Sequence, residues 1–199
     1  MSADTKPALP KLAITCTSTS CDQDLHCFRS TKKLVDAGLG GACRDCHAQL
    51  VDWPRVHERR LDDAEHTFTE LRLELIRHHF WHLEIDEKAR DHALRKGRIA
   101  LEAALAKRLA SSVGPEMPYR DGAQTPMSGN IIYYAQHATA SCCRTCIEYW
   151  HGIPKGRPLS QDELAYLGDL ATMFIAERFP ELPDGPTKVP RRRRRGDDS

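Results

Sequence analysis

The segment "LDDAEHTFTELRLELIRHHFWHLEI", Leu61 to Ile85, decides the fold class. Phe68, Leu71 and Leu75 recur at the spacing of one helix face. The acidic start at Asp62, Asp63 and Glu65 suits the positive end of a helix dipole. Past Asp86, "EKARDHALRKGRIALEAALAKRLASS" is rich in Ala, Leu, Lys and Glu, good helix formers, until Val113-Gly114-Pro115 ends the run. So short a connection predicts an antiparallel pair of helices. Further on, Ser160 and Glu163 form a capping box. It starts a helix whose apolar face is Leu164, Leu167, Leu170, Ala171 and Phe174, and which Pro180 stops. Between these helices lies "PEMPYRDGAQTPMSGN", dense in Pro and Gly, and then "IIYYAQ", which fits a short strand or the lead-in to the next helix. The expected fold is mainly α: a small N-terminal zinc ribbon over 13–60, then a helical domain over 61–182 with a short irregular or β segment. Disorder is expected over 1–12 and in a basic tail over 183–199.

The ribbon expectation comes from "CTSTSCDQDLHCFRSTKKLVDAGLGGACRDC". Cys16-x4-Cys21 and Cys43-x2-Cys46 are two cysteine pairs separated by a loop. Two such knuckles can deliver four thiolates to one tetrahedral zinc. His26 and Cys27 stand close enough to replace a member of the first pair. A segment this poor in large apolar side chains needs a metal to hold a fold. The competing readings are free buried thiols or a redox Cys-x-x-Cys pair.

A second cluster lies in "QHATASCCRTCIEYWHGIPKGR", Gln136 to Arg157. Thr139 or Ser141 fits the N-cap of a helix running to about Trp150, with Gly152 and Pro154 beyond it. Cys142, Cys143 and Cys146 then fall in the first turns, where unpaired amides favour thiolate. A metal could be held by Cys143 and Cys146 with His137, Cys142 being an alternative ligand and His151 a further one. A thiol redox centre at Cys142 and Cys146, or plain packing, are the other readings. An iron–sulfur cluster would need a fourth cysteine from the N-terminal group. If the centre kept an open coordination position it could serve an enzyme, with Asp121, Gln124 and Gln136 around it and His151 as general acid or base.

"DGAQTPMSGN", "AQHATASCCRTC" and "WHGIPKGRPLSQDE", in that order, resemble a bacterial and archaeal family catalogued only as a domain of unknown function. The resemblance runs from near Asp91 to Leu182. It implies a compact domain built around these motifs and no activity, and the cysteine-rich N-terminal segment looks like an addition to it. Relatives often carry Arg-Gly-His where this chain has Ser128-Gly129-Asn130.

Charge and composition narrow the partners. The chain of 199 residues is 40% hydrophobic and 29% charged, ordinary for a globular protein. Its net charge is +1 while the tail from Arg191 to Ser199 carries +3, so the body is −2. Nucleic-acid-binding domains are usually basic in the body. A phosphate-contacting face is nonetheless conceivable at Arg95, Lys155 and Arg157, with "RVHERR" (Arg55 to Arg60) and with Tyr133, Tyr134 and Trp150 for stacking. Glu70, Glu74, His78 and His82, each four apart with His79 beside them, form a stripe that is either a solvated helix face or a metal-binding one. No apolar run reaches the ~18 residues of a membrane span, and the first residues lack a signal peptide's apolar middle. The expected location is the cytoplasm, where paired cysteines bind metal more often than they form disulfides. No Gly-rich phosphate loop, nucleophile elbow, H-E-x-x-H or dinucleotide fingerprint is present. The leading expectation is a zinc protein with two Cys/His centres, iron being the alternative metal, that binds nucleic acid or a protein partner. A metal-dependent enzyme and a thiol redox protein are the rivals.

Overall fold

The structure is a computed structural model and describes residues 14–123 and 125–189. The expected disorder over 1–12, Gln124 and most of the basic tail lie outside the described residues. The described residues form eight α-helices: α1 (Lys32–Asp36), α2 (Trp53–Val56), α3 (Ala64–Arg72), α4 (Leu75–His82), α5 (Glu87–Ser112), α6 (Ile131–Ala138), α7 (Arg144–His151) and α8 (Gln161–Arg178). The fold is mostly helical; the only β pairing among the described residues is two isolated bridges, Ser20 with Leu25 and His26 with Glu74.

The single helix read across Leu61–Ile85 is two. Leu73 and Glu74 turn back on the preceding turn, their amides bonding the carbonyls of Glu70 and Leu71. Glu74 is extended (φ −89°, ψ 124°). The break is held from outside: His26 N–H donates to Leu73 O at 2.8 Å and Leu75 N–H to His26 O at 2.9 Å. Local spacing could not reveal it, because the partner strand lies far away in sequence. The break turns the Glu74 side chain inward.

Helix α5 is interrupted too. Gly97 has φ 71° and ψ 167°, a region open essentially to glycine alone. A Cβ there would lie 2.4 Å from the carbonyl carbon of Gly185. The chain after α8 crosses this gap, with Arg98 N–H donating to Pro183 O, Ile99 N–H to Asp184 O and Thr187 N–H to Leu94 O. α5 packs chiefly against α8, and α4 chiefly against α6. The antiparallel pairing expected for the two middle segments therefore gives way to a bundle in which α6 sits at the centre.

"IIYYAQ" opens α6, a helix, despite its β-branched and aromatic residues. Asn130 caps it, Oδ1 accepting from Ile132 N–H at 3.0 Å, and Ile131, Ile132, Tyr134, Ala135, Gln136 and His137 are all buried. Burial on most sides overrides the weak β propensity. The capping box of α8 is present as read, with Ser160 Oγ accepting from Glu163 N–H at 3.1 Å and the Glu163 carboxylate from Ser160 N–H at 2.8 Å. Phe28, Cys43 and Val56 from the cysteine-rich segment belong to the same hydrophobic cluster as the helices. Phe28, Trp53 and Trp150 pack edge to face or tilted, with centroids 5.1–6.0 Å apart. Among the described residues, no helix is long and apolar enough to cross a membrane.

Candidate metal centres

The first centre is built by two tight turns. Ser20 and Leu25 exchange backbone hydrogen bonds (2.7 and 3.1 Å) around Asp24, which takes a left-handed φ of 55°. That turn sets Cys21 beside His26. The second turn, "CRDC", closes with His47 N–H on Cys43 O and Cys43 N–H on Ala48 O. The result gathers Cys21, His26, Cys43 and Cys46, whose ligand atoms all lie within 4.8 Å of one another. Cys21 Sγ is 3.7 Å from Cys43 Sγ, and His26 Nδ1 is 3.4 Å from Cys46 Sγ. A tetrahedral zinc with Zn–S near 2.3 Å and Zn–N near 2.0–2.1 Å would set these edges at about 3.8 and about 3.5 Å. Burial opposes ionisation of Cys43, but amides of Cys27, Asp45 and Cys46 donate to its sulfur and the thiol settles at about 6. Burial, with Cys46 and Cys43 alongside, pushes the Cys21 thiol up to about 12. Thiols crowded in this way ionise together only around a cation.

His26 stands where Cys16 was expected. Spacing alone cannot choose between them, because it is the Ser20–Leu25 turn that directs His26 inward. Cys27, the other alternative, is buried with its thiol donating to Cys16 O at 3.4 Å.

The second cluster sits where α6 ends and α7 begins. Thr139 to Ser141 make the turn, with Ala140 at φ 55° and Ser141 N–H donating to Gln136 O at 2.8 Å. The cap of α7 is Cys143 itself, its sulfur accepting from Cys146 N–H at 3.4 Å, in place of Thr139 or Ser141. Thr125 Oγ1 donates to Cys142 O at 2.9 Å and fixes the other neighbour. Cys142, Cys143 and Cys146 place their sulfurs within 4.8 Å of one another, at 3%, 7% and 3% exposure.

Beneath them lies a buried polar network that joins Glu74, expected in the Glu70–His82 stripe, and Trp150, expected as a stacking group, to Arg77 and Tyr149. Arg77, fully buried on α4, donates from Nη2 to Cys146 Sγ at 3.1 Å and from Nη1 to Cys142 Sγ at 3.6 Å. Its Nε holds the Glu74 carboxylate at 3.0 Å, and a further bond goes to His137 O. Glu74 also accepts from Trp150 Nε1 at 2.7 Å and from the Tyr149 hydroxyl at 2.9 Å. Burial pushes the Glu74 carboxyl up against the pull of Arg77. The available signal was Glu74 and Arg77 among Leu73, Leu75, Ile76, Phe80 and Trp81: a charged i,i+3 pair inside an apolar stretch.

Hydrogen bonds from Cys142, Cys143 and Cys16, with the Arg77 charge, hold the Cys146 thiol well below its ordinary value despite burial. Its neighbours go the other way. Contact with Cys143 and Cys146, then burial, raises Cys142. Against a bond with Cys142 that favours its thiolate, Cys146 and burial push Cys143 up to about 11.

The remaining candidates fall elsewhere. The His137 ring stacks on Phe80 at 4.4 Å and turns Nε2 to Thr125 O, leaving Nδ1 buried without a partner, and neither nitrogen is gathered with the three sulfurs; burial lowers it to about 4. His151 is fully enclosed, Nε2 on Thr139 O at 2.9 Å and Nδ1 facing the Tyr166 hydroxyl, and burial lowers it likewise to about 4. Asp121 accepts from Arg144 N–H, and Gln136 is buried between Thr125 and Ser141. Arg95 pairs with Asp91, Lys155 with Glu148 and Arg157 with Glu163. Tyr134 and Trp150, offered for stacking, are core residues. The break before α4 splits the Glu70–His82 stripe: Glu74 faces the core, while His78 and His82 stack at 4.0 Å and Glu70 meets His66.

These features define a helical protein with two thiol-rich clusters able to hold metal, one in the N-terminal segment and one at the α6–α7 junction. The family model described as Domain of unknown function (DUF4186) matches residues 65–176, more than half of the chain, and the protein belongs to that family. The match begins before the motifs that suggested it and contains the second cluster but not the first. No solved structure matches the chain.

Proposed function

We propose that the protein is a zinc-binding module whose two centres are structural and whose role is to bind a partner. The observation that carries the reading is the first centre: its 3.7 Å and 3.4 Å edges fit a Cys3His zinc tetrahedron. Amide donors on the Cys43 sulfur are the surroundings a metal thiolate requires. Eight free cysteines agree with a reducing, cytoplasmic setting. Burial of Cys142, Cys143, Cys146 and His151 supports holding a fold over turning over a substrate, and weighs against an exposed redox thiol. As for the partner, Arg95 and Lys155 are exposed and their ion pairs are surface pairs worth about 0–1 kcal/mol. A polyanion could therefore take these two from their carboxylates at little cost, whereas Arg157 is gripped by both oxygens of the largely buried Glu163 carboxylate and is harder to recruit.

Elemental analysis of the purified chain tests the core of this. Two zinc per chain are expected, falling to one in Cys43→Ser/Cys46→Ser and to one in Cys143→Ser/Cys146→Ser. A metal-free wild type, or iron in place of zinc, overturns it. Binding to an oligonucleotide that weakens with salt, and more so in Lys155→Ala/Arg157→Ala, marks the partner as nucleic acid; no such binding leaves a protein partner.

A further inference from the structure

We propose that His78 and His82 form a third metal site, in which both imidazoles chelate one divalent ion of the nickel, copper or zinc kind at the end of α4. The site shares no residue with either thiol-rich cluster and does not depend on the zinc reading above. It takes up what remains of the Glu70–His82 stripe. The break before α4 turns Glu74 into the core, while the two histidines stay together on an accessible face. Imidazole suits all three ions, and two imidazoles with water in the other positions make an open site, unlike the buried sulfurs.

The geometry supplies the argument. His78 and His82 stand four apart on α4, so one lies above the other on the helix surface. Their rings meet, with centroids 4.0 Å apart and planes 32° from parallel. Closing two nitrogens on one ion then needs only a rotation about χ2, a broad torsion in histidine. A hydrogen bond also fixes one tautomer. His82 Nδ1 lies 2.8 Å from His78 O, and a carbonyl only accepts, so Nδ1 carries the proton and Nε2 the lone pair. Metal-ligating histidines are commonly held in this way, a backbone carbonyl taking the other ring N–H. An ion can reach them. His82 is exposed and His78 half-buried, and both line an open cavity of about 440 Å³ with Leu25, Leu75 and the exposed Glu84. Charge agrees as well. The unpaired carbonyls of a last helical turn favour a cation, and the Glu84 carboxylate on the same cavity adds to them. Arg72 opposes, but Glu177 and the face of Trp81 hold its guanidinium. Burial, with His82 alongside, lowers His78 and keeps it in the neutral form that ligates. His79, the third histidine on this cavity, has its Nε2 buried without a partner and is not a ligand of the pair.

The test titrates the full chain, preloaded with zinc, with nickel(II) in a calorimeter and follows the near-ultraviolet absorption. Nickel(II) is the probe because copper(II) oxidises thiols. Nickel on thiolate absorbs strongly there, and nickel on imidazole does not. Wild type is expected to take up one more nickel than His78→Ala/His82→Ala, and that extra ion carries no thiolate band. His78→Ala and His82→Ala each lose roughly ten-fold or more in affinity, since either leaves one imidazole where there was a chelate. His79→Ala binds as wild type does, which separates the pair from its neighbour. Both ligands lie on the accessible face, so the unfolding midpoint in urea stays at the wild-type value in either single variant. Equal uptake by wild type and the double variant overturns the proposal, as does a thiolate band on the extra nickel. Wild-type affinity no tighter than that of His82→Ala also overturns it, and the pair is then a solvated helix face alone.

Discussion

Replacing Arg77 with methionine keeps most of the volume of the side chain and removes its charge. Glu74 stays behind at 0% exposure, still accepting from Trp150 and Tyr149 but with no cation beside it. Breaking a buried pair from one side costs about 3–5 kcal/mol, because the remaining charge is stranded. Urea unfolding of a chain this size has a slope of about 2–3 kcal/mol per molar, so the midpoint is expected to fall by about 1–2.5 M at pH 7. The loss carries a pH signature. The Glu74 carboxyl is already raised by burial, and removing Arg77 raises it further. A folded value above the unfolded one means the native state keeps a proton that the unfolded chain gives up. The stability from that proton is fully present below the unfolded value of about 4.3 and is lost as pH rises toward the folded value, by up to about 1.4 kcal/mol per unit. The deficit of Arg77→Met therefore widens from pH 5 to pH 7. Arg77→Lys recovers part of it, keeping the charge but not the planar fork. Changing both partners, Glu74→Gln with Arg77→Met, costs less than the single change. An Arg77→Met protein within about 1 kcal/mol of wild type at pH 7, or a deficit independent of pH, refutes the reasoning.

His151 sits buried at about 4, below its unfolded value near 6.5, so its contribution is present above pH 6.5 and drains away as pH falls to 4, at up to about 1.4 kcal/mol per unit. His151→Gln is expected to flatten unfolding free energy against pH in that window; an unchanged slope counts against a neutral buried imidazole. Gly97→Ala forces a left-handed backbone on a side chain and drives its Cβ onto Gly185, costing about 1–3 kcal/mol for the backbone alone. Faster protease cleavage around residues 183–187 reports the displaced segment, and wild-type resistance would sink the idea. Ser160→Ala removes one half of the α8 capping box and is expected to cost about 1 kcal/mol in urea, with no change in metal content.

Local chemistry was legible, and long-range chemistry was not. The α8 cap, the end of α5 at Val113-Gly114-Pro115 and the "CRDC" knuckle depend on residues within a turn of one another, and they appear where spacing put them. The break at Glu74 depends on His26, the gap at Gly97 on residues 183–187, and the helix at "IIYYAQ" on burial among α4, α5 and α8. None of these partners is visible in a window of ten or twenty residues. The cysteines show the same division. Their number and chemistry point to two clusters, but which ligands meet follows from the Ser20–Leu25 turn, which brings His26 rather than Cys16 to Cys21, Cys43 and Cys46.

The gap at Gly97 also sets an order of assembly. The amides of Arg98 and Ile99 sit within a long helix, yet their acceptors are the carbonyls of Pro183 and Asp184. During synthesis those acceptors are among the last parts of the described chain to be made. The two halves of α5 can each form early, since their helical backbone hydrogen bonds are local, although their packing against α8 comes later. The joint between them closes only when the chain end arrives and lies across it. A nascent chain thus carries an open hinge at Gly97 until residues 183–187 have been made, and truncation before residue 183 would leave that hinge unlatched.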